Sequence, residues 1–150
     1  MQNKKQDIEV HRKALLAIWA VLLILQLLLL LMVFFAKPEL FDFDLSGPIG
    51  GTNPVFNFAL LVLAVFCFTI SLIMRFFLIR IATRDGVRPL LYVTLIVGVT
   101  MCEAVTLWGV LSAFHSSYPY FFVFFALGIL GTLLHYPKRA DLNAASFKQP

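Results

Sequence analysis

From residue 14 to residue 36 the chain runs 23 residues with one polar interruption, Gln26, and no Gly or Pro. About 20 apolar residues in a helix cross the roughly 30 Å hydrocarbon core of a bilayer. Three more apolar runs follow, at about 55–76, 90–114 and 118–135. A chain patterned this way is expected to fold as an all-α, polytopic membrane protein. Its four transmembrane helices would form one domain over residues 1–150. Composition agrees: 61% of residues are hydrophobic and 13% charged, where soluble domains carry about 45–50% and 25%. That balance excludes an ordinary soluble globule, a disordered segment and a disulfide-rich secreted module. Four spans with short loops leave no room for a further soluble domain.

The polar breaks set the expected orientation. Residues 1–13 read as a short, polar cytoplasmic lead-in that can hold a helical turn. The first run is too long for a signal-peptide core and is followed by no small-residue cleavage site, so it is expected to be retained. Residues 37–54 form a loop broken by Pro38, Pro48, Gly50 and Gly51 and made acidic by Glu39, Asp42 and Asp44. Arg75 sits where its side chain can snorkel to headgroups. Gly86 suits a helix C-terminus, Pro89 a helix start, and residues 141–150 a polar tail. Eleven of the twelve Lys and Arg residues flank the spans on one side, and Lys37 alone lies on the other. The positive-inside rule therefore puts both termini in the cytoplasm. The net charge of +4 is scattered over span ends, which is not a nucleic-acid-binding pattern. The expected location is the cell membrane, as a multi-pass protein of a bacterial inner membrane.

Glu103, in the middle of the third run, carries most of the functional argument. A charge at mid-bilayer costs on the order of 3 kcal/mol. A carboxyl there either hydrogen-bonds a neighbouring helix or transfers ions. Gln26, at a similar depth in the first run, is the natural partner, with Arg75 as another candidate. At 100° per residue Glu103 shares a stripe with Thr100 and Thr106, so Glu103, Gln26, Thr100 and Thr106 form the candidate proton or ion site. Each Thr can equally bond its own helix backbone. A second face gathers Gly98, Cys102, Gly109 and Ala113, a seam of small residues that lets helices approach closely. Cys67 and Cys102 read as packing thiols.

Arg88-Pro89, a dozen apolar residues and then CEAVTLWGVLSAF over 102–114 resemble the carboxylate-bearing helix of the rotary ATP synthase ring proteolipid, the c subunit. Glu103, Ala104, Trp108, Gly109, Ala113 and Phe114 match its Glu-Ala, aromatic-Gly and Ala-Phe positions. The resemblance implies that Glu103 takes up and releases a translocated proton. It covers residues 88–114 only. The rest of the chain departs from that family: residues 55–74 contain no glycine, where the family has a Gly-rich helix, and a fourth run follows the carboxylate helix.

Other classes fit less well. Small multidrug transporters carry their Glu in the first helix, where this chain has Gln26. A glutathione-using membrane enzyme needs Arg, Asn and His clusters that Arg75, Arg80 and Arg84 alone do not supply. His11, His115 and His135 fall at or beyond span ends, where a surface histidine is the default and haem ligation is not expected. His115 with Tyr118 and Tyr120 could at most edge a quinone site. The Phe-rich fourth run, with Gly128 and Gly131, reads as lipid-facing bulk and packing. The expected function is therefore a small integral-membrane protein, a non-catalytic subunit or accessory of a membrane complex. It would have lipid, other membrane subunits or its own copies as partners, and neither metal nor cofactor. The alternative is a proton-translocating proteolipid-like protein using Glu103.

Overall fold

A computed structural model describes residues 2–42, 48–85 and 89–140. Asp44, Gly86, Arg88 and the 141–150 tail, including Lys148, lie outside the described residues. Among the described residues four α-helices follow one another: α1 (Gln2–Ala36), α2 (Pro54–Asp85), α3 (Pro89–Ser116) and α4 (Phe122–Leu134). Every described element is helical, and α1, α2 and α3 contain stretches long and apolar enough to cross a membrane.

Local sequence explains the boundaries. Pro38 disfavours helical geometry at Lys37 and ends α1. A short 3-10 turn (Pro38–Phe41) follows, the one regular piece in the described part of the Pro/Gly loop. Pro54 and Pro89 each open a helix, where the missing amide costs nothing. Two lengths differ from expectation. The lead-in is not a single turn, because α1 runs unbroken from Gln2. No Gly or Pro interrupts it, and its first part is tethered by Glu9–Arg139 at 2.8 Å and by His11 Nδ1 to the Tyr92 hydroxyl at 2.7 Å. The fourth run is helical over only 13 residues, about 20 Å at 1.5 Å per residue and short of the hydrocarbon thickness. A turn bonded Phe121 N–H to Tyr118 O (3.2 Å) and Val123 N–H to Tyr120 O (3.0 Å) takes up its start.

α3 is the central element, packed against α1, α2 and α4. Three apolar clusters fill the bundle. One holds Leu15, Ala82, Leu91, Leu95 and Val99, with Leu22 packed against it. A second joins Val33, Ala113, Phe121 and Phe125, and a third joins Leu60, Ala64, Val105, Tyr118 and Phe124. Phe121, Phe124 and Phe125 are thus core rather than lipid-facing bulk. They fill the space that small residues on α3 leave open: a side chain on Gly109 would meet Phe124 and Phe125. At the end where α3 meets α4, Asn57 donates to Gly50 O (2.9 Å) and accepts from the Ser116 hydroxyl (2.8 Å), and the Tyr118 hydroxyl donates to Ile49 O (2.8 Å). These bonds clip the 49–57 segment onto the bundle. Gly51, at φ +63, lies against the Tyr118 ring, where a side chain would fit neither the backbone nor the space.

Candidate functional site

A polar network lies buried between the four helices, with at least one member from each. Gln26 of α1 donates from Nε2 to the Thr132 hydroxyl of α4 at 2.8 Å. Trp19 of α1 donates from Nε1 to the Thr132 carbonyl at 2.7 Å. The Thr132 hydroxyl also lies beside the Cys102 thiol of α3. Cys102 Sγ is 3.6 Å from the Ser71 hydroxyl of α2. Ser71 in turn lies 3.1 Å from Gly98 O and 3.2 Å from His135 Nε2. His135, the residue after α4, places Nδ1 2.7 Å from Gly131 O. A carbonyl only accepts, so Nδ1 carries the proton, and in the neutral ring Nε2 is an acceptor. The single Ser71 hydroxyl proton then serves either Gly98 O or His135. Gln26, Ser71, Thr132 and His135 are all at most 2% exposed.

Small residues make this approach possible. A side chain on Gly98 would occupy the His135 ring, one on Gly131 would strike Cys102 Sγ, and one on Gly128 would strike the Thr106 hydroxyl. Gly98, Cys102 and Gly109 therefore lie against α4 or its end, and Ala113 joins the cluster of Phe121 and Phe125. A cavity of about 30 Å³ borders the network, lined by Arg75, Thr94, Leu95, His135 and Tyr136 among others. That is room for a water molecule.

The expected Glu103 cluster is only partly assembled. Leu22 packs with the cluster of Val99, and Leu29 and Leu30 pack with that of Ala113 and Val110. Gln26 and Glu103, each four residues further on from Leu22 and Val99, therefore stand at similar heights in the α1–α3 seam. Their bond is not formed: Gln26 Nε2 goes to Thr132 instead. Glu103 Oε1 and Gln26 Oε1 are both buried without a hydrogen-bond partner among the described residues. Thr106 is buried and donates to Cys102 O of its own helix at 3.2 Å, whereas Thr100 is exposed. The two hydroxyls expected to flank Glu103 thus point to different surroundings. Arg75, the other candidate partner, donates to Tyr136 O at 3.3 Å.

Sequence reasoning missed Ser71, Thr132 and above all His135, expected at the surface but 2% exposed. The physical reason is the brevity of α4. Its end stops at the height of Ser71 and Gly98, well inside the longer α2 and α3. The shortness of the fourth apolar run was the one signal of this in the sequence. His115, by contrast, is exposed and meets the Phe56 ring at a tilt, with centroids 4.8 Å apart and planes at 55°. The Tyr118 hydroxyl is committed to Ile49 O rather than to a ligand site. Cys67 and Cys102 are free thiols.

Compared with known proteins, the chain matches no protein-family model, no curated protein and no solved structure.

Proposed function

We propose that the chain is a small integral-membrane protein acting as a non-catalytic subunit or accessory of a membrane complex. One observation carries this reading. The buried polar side chains of Gln26, Ser71, Thr132 and His135 are bonded to one another or to backbone across the four helices. Through these bonds they hold the bundle together, although Gln26 keeps Oε1 without a partner among the described residues. Meanwhile α1 keeps a broad apolar flank uncovered: 11% of its most apolar stretch is buried, against 50% for α3. Such a flank suits lipid or a neighbouring subunit.

Extraction from native membranes in mild detergent tests this. The expected result is a particle carrying a second polypeptide in fixed ratio, well above the 16.9 kDa chain in its micelle. A monodisperse monomer with no partner in fixed ratio overturns the reading.

A second reading has its own support. The buried, unpartnered Glu103 Oε1, together with the resemblance of residues 88–114 to a proton-carrying helix, favours proton transfer at Glu103. Proteoliposomes holding a pH dye and a potassium diffusion potential separate the two. Under the leading reading the wild type and Glu103→Gln match empty vesicles. Proton flux in the wild type that Glu103→Gln abolishes, and carbodiimide labelling of Glu103, replace it with the second. The amide keeps a donor and an acceptor in place but cannot release a proton.

A further inference from the structure

We propose that the flank of α2 beyond the end of α4 is a binding site for an anionic phospholipid. The proposal rests on the chain being embedded in a bilayer. His135 bonds Ser71, so α4 ends at the height of Ser71 and Leu72. From Leu72, α2 continues to Asp85, about 20 Å further at 1.5 Å per residue. The backbone after α4 does not follow it. It turns toward α1, where the Tyr136 ring meets Trp19 at 5.3 Å and Arg139 pairs with Glu9 at 2.8 Å. The result is a groove of about 560 Å³ along one side of α2.

The lining of this groove has two characters. Leu72, Phe76 and Leu134 supply an apolar wall, and Arg75, Arg80 and Lys138 supply three cations. On α2 these residues fall at i, i+3, i+4 and i+8, one continuous helix face. Arg84, exposed one turn beyond Arg80, extends the positive row. A phosphate group between the arginines would receive charge-assisted hydrogen bonds, while acyl chains lie along the apolar wall. Soluble phosphate would use only half of this surface. Basic grooves between membrane helices near the headgroup level are suited to anionic lipids in this way.

The full-length chain, reconstituted in phosphatidylcholine vesicles, is probed with spin-labelled phosphatidylglycerol or spin-labelled phosphatidylcholine. The readout is the motionally restricted fraction of each label. The wild type is expected to restrict phosphatidylglycerol preferentially. Arg80→Gln and Lys138→Gln, both at exposed positions, are each expected to cut that preference about fivefold. High salt should reduce it as well. Equal restriction of the two lipids, or an unchanged preference when Arg80→Gln and Lys138→Gln are combined, overturns the site while leaving the embedding intact. Complete displacement of the labelled lipid by inorganic phosphate also overturns it, in favour of a soluble-anion site. No restriction of either label contradicts the embedding itself.

Discussion

The imidazole of His135, just past the end of α4, fills the space that a side chain on Gly98 of α3 would need. Its Nδ1 donates to Gly131 O at 2.7 Å, and the Ser71 hydroxyl lies 3.2 Å from Nε2. The ring therefore cannot retreat without giving up a buried hydrogen bond. One glycine, 37 positions away in sequence, makes room for the ring at the end of α4.

Overpacking at this contact should be costly. Gly98→Val is expected to destabilise the bundle by about 1–3 kcal/mol. Gly109→Leu should do the same, because a side chain there meets Phe124 and Phe125. Thr100→Leu, at an exposed position, should stay within about 0.5 kcal/mol. Unfolding titrations in mixed detergent micelles measure all three. Equal losses at the three positions would contradict a one-sided packing face.

The bond from Gln26 to Thr132 ties the first helix to the last. Thr132→Val keeps the side-chain shape and the carbonyl that accepts from Trp19, but removes the hydroxyl. A loss of about 1 kcal/mol is expected, typical of interhelical hydrogen bonds in membranes. Because Gln26→Leu removes the same bond, the two substitutions should be less than additive in a double-mutant cycle. Full additivity would mean that the bond contributes no coupling.

Orientation is open to direct measurement. With Cys67 and Cys102 replaced, single cysteines at Ser117 and Lys138, both exposed, report the two ends of the bundle. A membrane-impermeant maleimide applied to intact cells should label position 117 and spare position 138 until the cells are opened. The opposite pattern would reverse the charge-based assignment.

What was legible in the sequence and what was not divide along a physical line. The apolar run interrupted only by Gln26 shows a long helix, because nothing else buries its own backbone bonds in hydrocarbon. The small-residue face of α3 was readable at 100° per residue, since helical phase is local. The partners of that face were not. Thr106 and Thr100 flank Glu103 symmetrically in phase, yet one is buried and the other exposed. Only the positions of α1 and α4 around α3 separate them.

The sequence by itself therefore determined the all-helical class, the end of α1 and the starts of α2 and α3 through Pro38, Pro54 and Pro89, and the gathering of basic residues at one end. These follow from hydropathy, backbone sterics and charge, which act within a few residues. Tertiary structure alone decided that Gln26 bonds Thr132 rather than Glu103, that Phe121, Phe124 and Phe125 turn inward, and that His135 is buried rather than exposed. Each depends on side chains far apart in the chain competing for the same space. The outcome was settled by the length of α4 and by the glycines that let it come close.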